Sequence, residues 1–157
     1  MNNPPKKSSK YKQGIFISQN PDKYVGDATN IIYRSSWELR AFKWLDEHPD
    51  VLFWNSESLM IPYFYEVDQK MHRYYVDLVA QMKTKTGIKV FAIEIKPAAE
   101  TLPPNAKTKN KARLLVQTQT YLKNQAKWKA ATAFCASKGI QFIVIDEYDL
   151  SIKKRPA

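Results

Sequence analysis

The sequence predicts a single α/β domain in which one helix precedes three or four strands and a second helix precedes a last strand. Its length of 157 residues is ordinary for one domain. Hydrophobic residues make up 44% of the chain and aromatic residues 13%, which is enough for a folded core. Helical and strand-like periodicities alternate along the chain, with no internal repeat and no sign of a second domain.

The first predicted helix begins after Ser35. Ser35 as N-cap and Glu38 three positions later form a capping-box pattern. His48 and Pro49 end the helix, because proline cannot continue it. The segment before it, residues 14–32, holds turn signals and is expected to be irregular structure packed on the domain. Helical spacing predicts a buried stripe of Trp37, Ala41, Trp44 and Leu45.

Four strand-like segments follow this helix. Residues 51–54 form a short one, and residues 59–67 form an aromatic-rich one whose proline predicts an edge strand or bulge. Residues 73–80 and 88–96 alternate Tyr, Val, Phe and Ile, which is typical of half-buried strands. Between the last two, residues 84–87 predict a hairpin turn that ends on glycine.

The second predicted helix extends from about residue 110 to 138 and is rich in Ala, Lys, Gln and Leu. The pattern allows a break near Lys123 and Asn124, and Gly139 provides the C-cap. Residues 141–146 form the final strand. A core-facing stripe is expected for Leu114, Thr118, Tyr121, Trp128, Ala131 and Phe134.

The charge of the chain predicts a polyanionic partner. Lys and Arg number 25 against 15 Asp and Glu, a net charge of +10, which favours nucleic acid over an acidic membrane face. Residues 69–145 contain fourteen basic residues and only three acids, Asp77, Glu94 and Glu100. Asp77 and Glu94 lie within apolar strand-like segments, where a lone carboxylate is costly to bury. A lysine or a metal ion should therefore compensate them; the alternative is a solvated basic face with chance acids.

The predicted hairpin brings these two acids together. A turn centred on residues 85–86 pairs Asp77 with Glu94, although a bulge at Gly87 would shift the register by one. Lys96 shares a strand face with Glu94 because it lies two residues further on. Paired carboxylates suit Mg²⁺, and a neighbouring lysine can orient water or stabilise charge on a phosphate. A solvated cross-strand salt-bridge patch is the alternative interpretation.

These motifs resemble the PD-(D/E)XK nuclease superfamily. That superfamily has a restriction-endonuclease-like core of helix, three-stranded mixed or antiparallel sheet, helix and strand, with Asp on the second core strand and Glu-x-Lys on the third. Asp77 and the run Glu94-Ile95-Lys96 match. The resemblance implies a Mg²⁺ site, which Mn²⁺ can substitute, held by Asp77, Glu94 and the Ile95 carbonyl. It also implies that Asp77, Glu94 and Lys96 are catalytic.

Three further residues match superfamily patterns, and each also has an ordinary structural explanation. Many members carry a Glu on the first helix near the metal, which implies a metal-binding and catalytic role for Glu38; capping the helix is its other role, and the two are compatible. Gln117 and Tyr121 match the Gln-xxx-Tyr pattern of RecB-like members, in which these residues help to position DNA or the active site. Otherwise Gln117 is a solvated helix residue and Tyr121 belongs to the core.

A narrower resemblance covers residues 12–148. It is to the head completion nucleases of large contractile-tailed phages, and Tns-type transposon-end endonucleases share the general layout. The resemblance implies a DNA endonuclease that acts when packaged heads are finished. Expected partners are DNA and the head or packaging proteins, and the oligomeric state stays open. The matching segments are 20–24, 33–38, 61–63, 94–97 and 124–128.

A second function is compatible with the same charge and fold. It is that of a non-catalytic DNA-end-binding protein of the phage head on a nuclease fold, which differs from the nuclease only in whether the acids bind metal. Cleavage of RNA rather than DNA also stays open, because these residues do not separate the two substrates.

The nuclease domain is expected to span residues 13–150. A basic arm at 1–12 precedes it, and a basic tail at 151–157 follows it. The first residues have no apolar core of the kind that a signal peptide needs, and the apolar stretches are too short to span a bilayer, so a soluble protein of the host cytoplasm, associated with the phage head, is expected.

The segment that leads into the second helix is expected to bind the DNA backbone. Its cations would neutralise phosphates without reading bases, and neither a helix-turn-helix nor a zinc finger accompanies them. The sequence therefore predicts low base-sequence specificity. The expected DNA-binding residues are Lys107, Lys109, Lys111 and Arg113.

Overall fold

Eight strands and two α-helices make up residues 13–157, the part of the chain that the computed structural model describes. The predicted basic arm at 1–12 lies outside the described residues. Two short 3₁₀ helices occupy Pro21–Lys23 and Ala98–Thr101. In chain order the main elements are β1 (Gly14–Phe16), β2 (Ile31–Tyr33), α1 (Ser36–Glu47), β3 (Val51–Ser56), β4 (Met60–Tyr65), β5 (Lys70–Tyr75), β6 (Leu78–Thr84), β7 (Gly87–Ile95), α2 (Lys111–Ser137) and β8 (Ile140–Ile145).

A four-stranded mixed sheet with the order β3-β6-β7-β8 forms the centre of the molecule. β3, β6 and β7 are antiparallel neighbours, and β8 runs parallel to β7 after the crossover through α2. The predicted order of helix, three strands, helix and strand is therefore confirmed, as is the mixed sheet. Thr84 pairs with Gly87 and Leu78 with Ile93, which is the predicted hairpin register without a bulge.

The predicted strand at 73–80 was wrong as a single element. β5 ends at Tyr75, β6 begins at Leu78, and Asp77 lies in the break. β5 pairs with β4 in a separate two-stranded sheet, consistent with the edge position that the proline in β4 predicted. Alternate residues stay buried across the break, but Val76 belongs to one hydrophobic cluster and Leu78 to the other. The alternating pattern of the sequence therefore does not reveal that the buried side chains on the two sides of the break pack in different clusters.

The two hydrophobic clusters cover opposite faces of the central sheet. Phe42 and Leu45 of α1 pack in the cluster that contains Ile93, and Ala131 of α2 packs in the cluster that contains Ala92. Ala92 and Ile93 are adjacent on β7, so their side chains point to opposite faces. Each helix thus protects one side of the strand that carries Glu94.

α1 has nearly the predicted bounds, but two of the four residues predicted to be buried are not, since Trp37 is only half-buried and Trp44 is exposed. Ala41 and Leu45 are buried as predicted. Trp44 is 49% exposed and stacks on His48, with ring centroids 4.4 Å apart, so its predicted burial was wrong. Phe42 is buried in its place. Both positions are aromatic, and helical spacing alone did not separate them.

α2 is one unbroken helix of 27 residues, so the break allowed near Lys123 and Asn124 does not occur. Asn124 is buried in its middle, whereas the predicted stripe is half-buried apart from the fully buried Ala131. Gly139 follows the helix with a φ of 70°, a left-handed conformation that glycine adopts without strain. None of the helices in the described residues is long and apolar enough to cross a membrane.

Residues 14–32 are more regular than predicted. β1 and β2 pair with each other, and Phe16 and Ile31 from these strands are buried in the core. Strands of three residues are too short for a period of two to be recognised in the sequence. The segment packs on the domain as expected, and residues 17–30 are irregular apart from the 3₁₀ helix, but the prediction missed the two short strands.

Candidate active site

Asp77 occupies the break between β5 and β6, at the end of the sheet where β7 also ends. Its Oδ2 accepts the backbone N–H of Ile95 at 2.8 Å, and its carbonyl accepts the N–H of Glu57 at 3.1 Å. Burial raises the pKa of the Asp77 carboxyl, while the Ile95 N–H and the charge of Lys96 oppose that rise. The backbone thus fixes this carboxylate against the end of β7.

Glu94 lies on β7 with only 7% of its surface exposed. Its Oε2 accepts a hydrogen bond of 2.5 Å from the hydroxyl of Tyr74, which is itself buried. Burial raises the pKa of Glu94 to about 7, and the neighbouring charge of Asp77 adds to this rise. The two acids therefore interact across the end of the hairpin, where pairing of β6 and β7 would bring them together.

Lys96 follows β7 directly and lies on the same cleft. Its backbone N–H donates to the carbonyl of Ile145 in β8 at 2.9 Å, which fixes its backbone to the sheet. Its charge favours the ionised forms of both Asp77 and Glu94. Among the described residues, however, no ion pair within 4 Å includes Lys96, Asp77 or Glu94. The negative charge of the acids is thus only partly balanced by protein groups.

Glu38 lies in the first turn of α1, facing the same cleft. Ser35 Oγ accepts the Glu38 N–H at 3.1 Å, and Glu38 Oε2 accepts the Arg34 N–H at 2.7 Å. The carboxylate thus caps the chain one residue before the N-cap, a variation on the capping box. Burial and the charges of Asp77 and Glu57 raise its pKa. Capping and proximity to Asp77 are therefore compatible.

A cleft of about 600 Å³ brings the predicted residues together. Three elements contribute to it: the start of α1, the break before β6, and the end of β7 with the residues that follow. All five residues predicted to bind metal or to catalyse lie in its wall. The lining is Gln13, Arg34, Ser35, Ser36, Trp37, Glu38, Asp77, Glu94, Ile95, Lys96, Pro97 and Glu100.

The donor set fits a hydrated hard cation better than a caged metal. Within residues 13–157, no three or more His, Cys, Asp or Glu side chains are grouped closely enough to hold a metal ion. Asp77 and Glu94 offer carboxylate oxygens whose mutual repulsion a cation would relieve. Mg²⁺ characteristically keeps several waters and binds one or two carboxylates together with substrate phosphates. The cleft therefore fits such an ion, with water and phosphate as its other ligands.

Two residues near the acids were absent from the sequence prediction. Tyr74 bonds to Glu94, and Lys127 of α2 lies with its Nζ 5.4 Å from the centroid of the Tyr74 ring. Burial lowers the pKa of Lys127, whereas the charge of Glu94 opposes that change. Nothing in its spacing distinguishes Lys127 from the other lysines of α2. Tyr74 lies three residues before Asp77. In one continuous strand the two side chains would face opposite sides of the sheet, so the prediction of a single strand gave no reason to place Tyr74 beside the acids.

Gln117 and Tyr121 line a second groove, of about 590 Å³, rather than the acidic cleft itself. Arg113 also lines this groove, and Glu100 lines both, so the two spaces are adjacent. The four cations expected to bind DNA are exposed and take part in no ion pair of the described chain. They are Lys107, Lys109, Lys111 and Arg113.

Comparison with known proteins finds two similarities. Residues 48–147 match the family described as TnsA-like endonuclease N terminal. That segment contains Asp77, Glu94 and Lys96 but begins after Glu38. The head completion nuclease of Enterobacteria phage T4 is 40% identical over 138 residues, which cover 85% of this chain and 90% of that protein. The similarity thus spans most of both chains.

Proposed function

Since this chain belongs to the TnsA-like endonuclease N-terminal family, we propose that it is a metal-dependent DNA endonuclease of phage head completion. The observation that carries the proposal is one open cleft whose wall brings together the half-buried carboxylate of Asp77, the buried carboxylate of Glu94 and Lys96. Such a site can hold a hydrated divalent cation next to a general electrostatic catalyst for phosphodiester hydrolysis.

Asp77 and Glu94 would hold the ion, with the Ile95 carbonyl as a further ligand and Glu38 binding directly or through water. The Ile95 N–H fixes Asp77, and the Tyr74 hydroxyl fixes Glu94, so both carboxylates are oriented before substrate arrives. A bound Mg²⁺ or Mn²⁺ supplies positive charge for the phosphate and makes water a better nucleophile.

Lys96 would supply the positive charge that acts beside the metal ion. Its ammonium group can orient the attacking water towards phosphorus and stabilise the extra negative charge of the pentacovalent phosphate. The water oxygen forms the new P–O bond, and one P–O bond to a sugar breaks. The proximity of Lys96 to both carboxylates supports this role.

DNA would enter over the exposed basic segment and the groove of Gln117 and Tyr121. Contacts from lysine and arginine to phosphates do not depend on base sequence, so we expect little sequence specificity and a strong dependence on salt. Because Glu100 lines both spaces, a strand held in the groove would pass directly beside the acidic cleft.

The similarity to the phage T4 protein suggests the stage of phage assembly at which this chain acts. The phage T4 protein is named a head completion nuclease, and the matched region covers 90% of its length. We propose the same step for this chain: the processing of DNA ends in packaged heads. Head or packaging proteins are then its expected partners, and the phage head in the host cytoplasm is where it would act.

Incubation with supercoiled plasmid and linear DNA in Mg²⁺, Mn²⁺ or EDTA tests the activity. We expect cutting in either metal and none in EDTA, and conversion of the supercoiled form marks an endonuclease. Binding without cutting on several DNA structures would instead support the rival, a non-catalytic protein that binds DNA ends in the phage head.

Calorimetric titration separates a metal site from a structural pair of acids. Mg²⁺ or Mn²⁺ titrated into the wild type should release or absorb heat, and Asp77→Asn should lose that signal. The same substitution at the exposed Asp22, which lies outside the cleft lining, is the matched control and should leave the heat unchanged. No heat in any of the three proteins would favour the non-catalytic rival.

A further inference from the structure

Arg34 and Glu57 form a two-pronged ion pair at the cleft, outside the predicted catalytic set. Arg34 Nε lies 2.6 Å from Glu57 Oε1, and Arg34 Nη2 lies 3.1 Å from Oε2. Arg34 lines the cleft that contains Asp77 and Lys96. The side chains are 52% and 41% exposed, so solvent screens the attraction between them. The same exposure leaves both charged groups accessible to a ligand in the cleft.

Each partner is also bonded to an element that carries a cleft carboxylate. The Arg34 N–H donates to Glu38 Oε2 at 2.7 Å, and the Glu57 N–H donates to the Asp77 carbonyl at 3.1 Å. Glu57 has a φ of 52°, a left-handed conformation that non-glycine residues adopt rarely and often at functional positions. The backbone of Glu57 is thus fixed beside Asp77, and its carboxylate is bonded to the Arg34 guanidinium.

We propose that Arg34 binds a DNA phosphate in the cleft and that Glu57 competes with that phosphate for the guanidinium. A carboxylate and a phosphate both match the planar fork of arginine, so the same donors can serve either one. When DNA enters, the phosphate displaces the Glu57 carboxylate, which already lies near water and loses little by the exchange. The inference rests on the proposed DNA substrate.

The charges around the cleft give this competition a consequence. The cleft is lined by two cations, Arg34 and Lys96, and by four acids, Glu38, Asp77, Glu94 and Glu100. With Arg34 paired to Glu57, phosphate meets a mostly negative surface. Release of Arg34 supplies a positive group on the α1 side of the cleft. Glu57 therefore lowers the affinity of the cleft for DNA.

Binding of a short fluorescent duplex in EDTA, followed by anisotropy, tests the proposal without requiring cleavage. Glu57→Gln should bind about 3- to 10-fold more tightly than wild type, since coupled charge pairs differ by this order. Glu66→Gln removes the same charge at an exposed position outside the cleft and should change binding less than about 2-fold. Arg34→Ala should weaken binding, and Arg34→Lys should weaken it less.

The double variant decides between competition and general charge. In the Arg34→Ala background, Glu57→Gln should give no further gain, because the guanidinium for which it competes is gone. An equal gain in both backgrounds would overturn the proposal, as would a Glu57→Gln protein that binds no more tightly than Glu66→Gln. Thermal unfolding of each variant verifies its fold, and Arg34→Gln, which also removes the positive charge, serves as the background if Arg34→Ala does not fold.

Failure of this competition can be told apart from failure of the nuclease assignment. A wild type that cuts DNA, together with an unchanged Glu57→Gln protein, would overturn the competition and leave the nuclease intact. A wild type that never cuts, together with tighter binding by Glu57→Gln alone, would support the competition and overturn the nuclease activity.

Discussion

The two sides of the candidate site are built in contrasting ways. On one side, Asp77 and Glu94 are fixed by the Ile95 N–H and the Tyr74 hydroxyl at the end of a packed sheet. On the other, the cations of the basic segment, Lys107, Lys109, Lys111 and Arg113, are exposed and make no ion pairs within the described chain. Chemistry requires fixed distances, whereas neutralising phosphates requires only charge within reach.

α2 shows the same division along its length. Ala131 and Cys135 in its C-terminal part are buried against the sheet. No residue from 111 to 123 is buried, and Leu115 and Val116 are about 60% exposed. Packing therefore secures the part of the helix near Tyr74 and leaves the part beside Gln117 and Tyr121 open to a ligand.

Replacing Lys96 should have the largest effect and should act on the rigid side alone. Lys96→Ala should slow cleavage by about 100-fold or more, because it removes charge stabilisation of the transition state, while duplex binding stays nearly unchanged. Lys89→Ala removes an exposed lysine from β7, the strand that Lys96 directly follows, and is the matched control. Plasmid cleavage and anisotropy are the measurements; retained turnover in Lys96→Ala would refute its role.

Removing the basic segment should act on binding instead. Replacement of Lys107, Lys109 and Lys111 by Gln should reduce the magnitude of the slope of log affinity against log salt concentration by up to about 3. Each phosphate contact contributes about 0.9 to that slope. Cleavage at saturating DNA should persist. The triple replacement of Lys83, Lys85 and Lys89, at the far end of the β6–β7 hairpin, is the control. Equal losses in both triple variants would mean that net charge, not this segment, binds DNA.

Tyr74→Phe should lower the affinity of the site for metal without abolishing cleavage. The hydroxyl bond lowers the pKa of Glu94, so its loss should raise that pKa and increase the Mg²⁺ concentration needed for half-maximal activity by about 10-fold. Activity at saturating metal should stay close to wild type, and the acid limb of the pH profile should move to higher pH. Tyr75→Phe alters a neighbouring exposed tyrosine and should change neither value.

The smallest effect should be a pH dependence of stability in metal-free protein. The pKa of Glu94 is raised from 4.5 to about 7, and that of Asp77 is also raised, so the folded state binds more protons than the unfolded state in this window. Stability should therefore fall as pH rises from about 5 to about 7.5, and the melting temperature should fall by a few degrees.

Metal should reverse that loss at the upper end of the window. Mg²⁺ should raise the melting temperature at about pH 7.5 more than at about pH 5, because protonated carboxyls bind it poorly. Glu94→Gln should flatten the pH dependence and remove most of the metal effect. A melting temperature that rises with pH in metal-free wild type would contradict the pKa directions of the pair.

The sequence predicted what depends on local pairing and missed what depends on distant contacts. Asp77, Glu94 and Lys96 came together because a turn at residues 85–86 fixes the register of the hairpin. The bond from Tyr74 to Glu94 and the position of Lys127 depend on how β5 and α2 pack, which no spacing encodes. The break before Asp77 was hidden because burial alternates on both sides of it.

Cleavage of supercoiled plasmid by Asp77→Asn in Mg²⁺ tests the role of the paired carboxylates most directly. We expect a loss of about 100-fold or more with duplex binding retained, while Asp22→Asn, the same change at an exposed position, cuts like wild type. An Asp77→Asn protein that cuts at the wild-type rate would contradict the claim that the paired carboxylates of this cleft perform the chemistry.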